Sequence, residues 1–154
     1  MDNPSLARAQ SVFARFPAPP CSQTLGWTLL DADPDAGTVT VAFEGRREFC
    51  NPAGTIQGGF LAAMLDDVMG PAVLVQSDGQ YFTPTIEMKV SFIAPAPVGR
   101  LTAIGRVVHR GGTVAFLEGE LFDADGRLLA KASASARLVP TDRLQGTRPN
   151  YPRD

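Results

Sequence analysis

The feature that most constrains the fold is the order of one long apolar segment and the strand-like segments around it. The apolar segment runs from residue 58 to about residue 75. Its Leu61, Met64, Leu65 and Val68 are spaced i, i+3, i+4 and i+7, which predicts a helix with one apolar stripe. Two strand-like runs precede this helix and four follow it, joined by short turns. This order predicts an α+β fold in which a curved antiparallel sheet of about five or six strands wraps a long central helix.

The strand predictions rest on the alternation of apolar and polar residues. Residues 85–92 alternate strictly, and this pattern predicts one face made of Ile86, Met88, Val90 and Phe92. Residues 25–30 and 38–43 are predicted to form a hairpin around a turn rich in Asp, Pro and Gly. The other predicted strands cover residues 101–108, 113–122 and 127–139. Alanines alternate along the last of them, which predicts a sheet face that another element approaches closely.

The length of the chain predicts one domain. Its 154 residues lie within the usual size of a single folding unit, and no linker or repeat divides them. The predicted domain therefore covers residues 1–154. Within it, residues 1–20 hold a short amphipathic helix over residues 5–16 and a proline-rich linker, and residues 141–154 form a polar C-terminal tail.

Charge and composition exclude several classes of function. The 14 Lys and Arg residues against 16 Asp and Glu residues give a net charge of −2, so nucleic acid is not an expected partner. His109 is the only histidine, and Cys21 and Cys50 lack metal-ligand spacing, so we expect no metal and no cofactor. The longest apolar run, residues 60–65, is too short to span a membrane, and the N-terminus has no signal-like pattern. We therefore expect a cytoplasmic protein with no membrane partner.

Two adjacent carboxylates on the predicted helix are the main candidates for chemistry. Neighbouring residues on a helix point about 100° apart, so Asp66 and Asp67 cannot share one role. Asp66 shares its side of the helix with the small residues Gly59, Ala63 and Gly70. A carboxylate on such a strip would be partly desolvated and able to act as a base or nucleophile. The alternative interpretation is that both carboxylates belong to a solvated helix face.

The glycine pair that opens the helix also has two interpretations. Gly58 and Gly59 can be a loop-to-helix turn that requires small residues. They can also expose unpaired backbone N–H groups that stabilise a developing oxyanion.

Several motifs together resemble those of a known family. The first motif is Asn51-Pro52-x-Gly54-x-x-Gln57-Gly58-Gly59, and Asp66 follows seven residues after its last glycine. The predicted strand 85–92 and the motif Arg110-Gly111-Gly112-Thr113 come next. In this order, from about residue 25 to residue 138, the chain resembles the hotdog-fold acyl-CoA thioesterases of the phenylacetate-degradation type. The resemblance implies a hotdog fold, homodimers with two active sites at the subunit interface, and often homotetramers.

The resemblance also implies roles for individual residues. Asp66 matches the carboxylate that activates or becomes the nucleophile, and Gly58 matches the glycine whose N–H polarises the thioester carbonyl. Asn51 matches an asparagine that helps place the carbonyl or water, and Thr85 matches a hydroxyl that a strand supplies. Coenzyme A is part of the substrate in this family. The implied substrate contacts are Gly59 and, for the nucleotide end of coenzyme A, Arg110, Gly111, Gly112 and Thr113.

One residue departs from the family pattern. Gln57 stands where the family usually has the His of a His-Gly-Gly motif. A glutamine donates and accepts hydrogen bonds but does not transfer protons near neutral pH. Thioester hydrolysis does not require an imidazole here, because a carboxylate and two well-placed donors suffice. Gln57 or Asn51 is therefore a candidate second donor to the carbonyl.

Three functions are compatible with these observations. The first is hydrolysis of a small or medium acyl-CoA, aromatic or aliphatic. The second is binding of acyl-CoA or a small apolar ligand without catalysis. The third is a hotdog hydratase or dehydratase, which would need His109, a residue we interpret as a surface or edge histidine. The acyl group is not specified, since Trp27, Phe60, Met64 and Phe82 can line a pocket or belong to the core.

Overall fold

The computed structural model describes residues 3–144, and it has a long helix packed against a six-stranded antiparallel sheet. The sheet order is β1-β2-β5-β6-β7-β4, so β1 and β4 are its edges. A small second sheet pairs β3 with β8. This confirms the predicted α+β hotdog architecture. The helices are α1 (Pro4–Phe13), α2 (Pro20–Leu25) and α3 (Gly58–Gln76). The strands are β1 (Thr28–Asp33), β2 (Thr38–Gly45), β3 (Tyr81–Phe82), β4 (Thr85–Phe92), β5 (Gly99–Arg110), β6 (Val114–Phe122), β7 (Leu128–Arg137) and β8 (Val139–Pro140).

Helix α3 packs most closely on two glycines in the middle of the sheet. Gly105 of β5 and Gly119 of β6 are paired in register. A Cβ added to Gly105 would collide with the backbone carbonyl of Val68, and one added to Gly119 would lie 3.2 Å from Leu65 Cδ2. The alternating alanines of β7 are buried, but the position where the backbone of α3 comes closest to a glycine of the sheet is Gly105.

The predicted apolar stripe of α3 is the centre of the core. Leu61, Met64, Leu65 and Val68 are all buried. Helix α3 has 19 residues and a mean hydropathy of 1.5, so its length and composition would also suit a membrane span. Its buried side chains instead belong to the same core cluster as those of the sheet.

The N-terminal third differs from the prediction. Residues 25–30 were expected to be a strand, but Leu25 ends α2 and β1 begins only at Thr28. Pro20 starts α2 with a backbone angle suited to a first helical turn, and Gly26 ends it in the left-handed conformation, with φ 72°. The strand prediction began too early because Pro20 and Gly26 border a short helix whose last residue, Leu25, is also the first residue of the apolar run.

The two chain ends also bear on the predictions. Helix α1 ends at Phe13, earlier than the predicted residue 16, and buries Ala9 and Val12. At the other end, residues 141–143 form a single 3-10 turn. The rest of the predicted polar tail, residues 145–154, lies outside the described residues.

Candidate active site

The N-terminus of α3 is built around the side chain of Gln57. Gln57 is the N-cap, and its Oε1 accepts a hydrogen bond of 2.7 Å from the backbone N–H of Gly59. Its backbone carbonyl accepts from the N–H groups of Phe60 and Leu61. The N–H of Gly58 donates no hydrogen bond within residues 3–144. One free amide therefore remains at this helix end.

Both glycines of the pair have close neighbours. A Cβ on Gly58 would lie 3.1 Å from Cζ of Phe92, at the end of β4. A Cβ on Gly59 would lie 2.7 Å from Oε1 of Gln57 and would displace the cap. The structural interpretation of the pair is thus correct, and the free N–H of Gly58 leaves room for the functional one.

Asp66 lies on the exposed strip of small residues and is hydrogen-bonded to a strand. Thr85 Oγ1 donates to Asp66 Oδ1 at 2.6 Å. Asp66, Gly59 and Ala63 are all exposed on this side of the helix. The structure therefore brings together two of the predicted site residues, a carboxylate and a hydroxyl that holds it.

A β-bulge creates the pair of Asp66 and Thr85. Strict alternation predicts that Ile86 shares a face with Met88 and Val90, but the register shifts between Thr85 and Glu87, and Ile86 is 60% exposed. Thr85 instead pairs with the buried Ala136, so it lies on the side of the sheet that faces α3. Bulges of this kind change the direction in which a strand presents its side chains. The prediction for Ile86 was wrong because the pattern of the sequence does not reveal the bulge.

Asp67 lies on a different side of α3, under the N-terminal segment. Its Oδ1 accepts a 3.0 Å hydrogen bond from Ser22 Oγ, and its backbone carbonyl accepts one from Trp27 Nε1 at 3.2 Å. Its Oδ2 is buried and has no hydrogen-bond partner among the residues that the structure describes. The pKa of Asp67 is raised from 3.8 to about 6, because burial and, to a smaller extent, the charge of Asp66 raise it more than the hydrogen bond from Ser22 lowers it. We expected partial desolvation at Asp66, but within one chain Asp66 is exposed and Asp67 is the desolvated carboxylate.

The buried carboxylate predicts a specific pH dependence of stability. Because the folded pKa of Asp67 lies above the unfolded value, its stabilising effect is complete below about pH 4 and is lost as pH rises through about 6. We expect Asp67→Asn to remove this loss. The free energy of unfolding of the variant, relative to the original protein, should rise by about 1 to 2 kcal/mol between pH 4 and pH 7, after a discount for partial exposure. Urea unfolding across this range measures it, and a constant difference would contradict the assignment.

The side chain of Asn51 forms hydrogen bonds within the loop before α3. Its Oδ1 accepts from the N–H groups of Ala53 and Thr55, and its Nδ2 donates to Thr55 Oγ1 at 3.0 Å. None of these bonds reaches Gly58 or Asp66. Asn51 therefore shapes the loop, and its contact with a substrate stays a prediction.

The predicted coenzyme A turn connects β5 and β6. Arg110 ends β5, the N–H of Gly111 donates to the carbonyl of Val114, and the carbonyl of Thr113 accepts from Leu138. Gly112 and Thr113 line a cleft of about 480 Å³. Ile86 also lines the cleft. The cleft therefore lies beside Thr85, the neighbour of Ile86 in sequence and the residue that donates a hydrogen bond to Asp66. Three further polar residues line this cleft, and no local sequence pattern predicts them there: Tyr81, Arg137 and Arg143.

The four residues that could line an acyl pocket divide between the core and the surface. Met64 is fully buried, Phe60 stacks on Phe49 with ring centroids 4.2 Å apart, and Trp27 packs edge-on against Phe13. These three are therefore packing residues, whereas Phe82 is 46% exposed.

The lone histidine is not paired with an acid. His109 of β5 pairs with Phe116 of β6 and is exposed. It is a surface residue but not an edge residue, because β5 is an inner strand of the sheet. No ion pair or side-chain hydrogen bond joins it to a carboxylate in residues 3–144. Nor does this part of the chain hold a group of three or more His, Cys, Asp or Glu residues that could bind a metal ion.

The long helix, the antiparallel sheet and the pair of Asp66 and Thr85 define a hotdog protein of the thioesterase class. A family model of the thioesterase superfamily matches residues 53–130. The chain belongs to the thioesterase superfamily, and the protein is a thioester hydrolase.

Individual relatives agree with this assignment. A protein of Saccharolobus solfataricus, named as a candidate esterase, is 34% identical over 107 residues, which are 70% of this chain and 76% of the relative. Human acyl-coenzyme A thioesterase 13 is 28% identical over 113 residues, covering 72% of this chain and 79% of that protein. The crystal structure of a phenylacetic acid degradation-related protein from Ralstonia eutropha, described as a candidate thioesterase, superposes with a TM-score of 0.77. It is 33% identical, and the match covers 84% of this chain and 98% of that one.

Proposed function

We propose that the protein hydrolyses the thioester of a small or medium acyl-CoA, aromatic or aliphatic, with Asp66 as the base or nucleophile. The observation that carries this proposal is the 2.6 Å hydrogen bond that holds Asp66 on an exposed helix face beside the edge strand. Membership of the thioesterase superfamily and the similarity to acyl-coenzyme A thioesterase 13 support the choice of substrate.

The proposed chemistry needs only water and groups of the protein. The N–H of Gly58 polarises the thioester carbonyl. Asp66 takes a proton from water as the water oxygen bonds to the acyl carbon, or its carboxylate attacks that carbon directly and forms an anhydride that a water molecule hydrolyses after the thiolate has left. The C–S bond then breaks, and coenzyme A leaves as a thiolate that takes up a proton. No separate cofactor is required, since coenzyme A is part of the substrate.

The distance along α3 supports a site that uses two chains. Gly58 and Asp66 are eight residues apart, which corresponds to roughly 12 Å of helix. The free N–H of Gly58 points along the helix axis away from Asp66, so a carbonyl bound there lies still farther from this carboxylate. We therefore propose that Gly58 of one chain acts with Asp66 of a second copy.

The edge strand offers a way to build such a site. Strand β4 ends the sheet, and Ile86, Phe92 and Ile93 on or next to it are more than half exposed. Antiparallel pairing of β4 with its copy, centred on the strand, places Thr85 opposite Phe92 of the second chain. Thr85 holds Asp66, and Phe92 lies against Gly58, so this pairing brings the two halves of the site together. Further pairing into a tetramer stays a prediction.

The cysteines fit the expected location. Cys21 and Cys50 are free in the described chain, which is compatible with the reducing cytoplasm. The cytoplasm is therefore the compartment that we propose.

A panel of acyl-CoA esters with detection of free thiol tests the proposal. We expect release of coenzyme A from at least one short or medium ester, above the rate without protein. A short 2-enoyl-CoA is the control for the hydratase alternative, which lacks support because His109 has no acid partner within residues 3–144. Tight binding of the esters without turnover would contradict hydrolysis and favour the ligand-binding alternative.

A further inference from the structure

The hydrogen bond at the start of α3 determines which way the carboxamide of Gln57 points. The group that faces the side chain is the N–H of Gly59, which can only donate. The atom opposite this N–H must therefore be Oε1, and Nε2 with its two N–H groups is at the other end of the carboxamide. Nε2 has no acceptor within residues 3–144, and Gln57 is exposed.

The absence of a side chain at Gly59 keeps the carboxamide close to the helix end. Oε1 and Nε2 lie 2.7 Å and 3.5 Å from the position that a Cβ of Gly59 would take. The free N–H of Gly58 belongs to the residue between Gln57 and Gly59. Two unused donors, one from the backbone of Gly58 and one from the side chain of the preceding residue, are thus present at the same helix end.

We propose that Nε2 of Gln57 is the second donor to the thioester carbonyl, with the N–H of Gly59 as the support that orients it. This inference rests on the proposed function, and it gives a role to the residue that departs from the family motif. A neutral imidazole can also present one acceptor and one donor nitrogen. Glutamine does the same without titrating, whereas histidine loses its acceptor when it is protonated near pH 6.5.

The decisive variant is Gln57→Glu. A glutamate can still accept from Gly59, and its charge suits a helix N-terminus, so we expect unchanged or higher thermal stability. It has no N–H to donate, so we expect kcat to fall by about 10²-fold or more, the scale for one donor to an oxyanion. If Gln57 only caps the helix, Gln57→Glu will keep the original kcat, and this result would overturn the inference.

Two further variants separate charge and capping from donation. Gln57→Met is neutral and loses both the cap and the donor, so it should show a similar loss of kcat together with lower stability. Gln10→Glu adds the same charge at an exposed site on α1 and should leave kcat unchanged. A loss in Gln57→Met that Gln57→Glu does not share would assign the effect to the cap and overturn the inference.

The pH profile of Gln57→His gives an independent readout. At pH 8 its kcat should stay within about tenfold of the original, because the neutral ring can replace both contacts. Its kcat should then fall below about pH 6.5, along a limb that the original protein lacks. A profile of Gln57→His that matches the original would overturn the inference.

Binding of a stable analogue distinguishes this inference from the proposed function. In a carba analogue of an acyl-CoA, CH₂ replaces the sulfur, so the carbonyl is kept and cannot be cleaved as a thioester. We expect calorimetry to show at least tenfold weaker binding by Gln57→Glu than by the original protein. If the original binds the analogue but hydrolyses no ester, the proposed function fails and the tenfold difference still tests the donor. Equal binding by both, or no binding by the original, would overturn the inference.

Discussion

Asp66→Asn should reduce kcat for acyl-CoA hydrolysis by 10²-fold or more, to the limit of detection for a weak substrate. The range for a positioned base is about 10² to 10⁴. Asparagine keeps the shape of the side chain, and its Oδ1 can still accept the hydrogen bond from Thr85. It removes the basic oxygen that would accept a proton or attack the acyl carbon. Free-thiol detection measures the rate, and circular dichroism and light scattering should show an unchanged fold and assembly.

Asp67→Asn is the matched control for this result. Asp67 is one residue away on the same helix, but its carboxylate contacts Ser22 beneath the N-terminal segment rather than the exposed strip. Its replacement should change kcat far less than the replacement of Asp66. If Asp67→Asn abolished hydrolysis and Asp66→Asn did not, our assignment of the two helix faces would be wrong.

Local periodicity explains which parts of the fold could be predicted. Helix α3 and strand β4 were predicted almost to the residue, because each has a single dominant repeat over many positions. A repeat of apolar and polar residues does not reveal where the strand pairing shifts register, so the bulge at Ile86 was missed. Nor does it show short helices set by their end residues, which is why α2 was missed and the first strand was predicted to begin at residue 25 instead of Thr28.

The candidate site was predictable only where it is local in sequence. The motif around Gly58 and the helical position of Asp66 can be read from the chain, and so can the different directions of Asp66 and Asp67. The burial of Asp67 depends on Ser22, 45 residues away, and no local pattern reports that contact. The cap that Gln57 forms on Gly59 depends on backbone angles at the helix start, which the glycines allow but do not specify.

A site built from two chains makes a prediction about mixtures of inactive variants. Gly58→Pro removes the polarising N–H but should keep α3, since proline suits the first helical position. Gln57, with φ −66° and ψ 140°, already has the conformation that precedes proline. Gly58→Ala is the control, because it has the same crowding against Phe92 but keeps the N–H. We expect Gly58→Pro to lose about 10² to 10³ in kcat relative to Gly58→Ala.

Equal amounts of Asp66→Asn and Gly58→Pro chains, unfolded together and refolded, should recover about a quarter of the original activity. Half of the dimers are then mixed. In each mixed dimer, one site combines the intact Gly58 of the first variant with the intact Asp66 of the second, while the other site has neither. Light scattering should show dimers or larger assemblies in every sample. A site within one chain cannot be restored in this way, so a mixture as inactive as its components, or a stable and active monomer, would contradict the shared site.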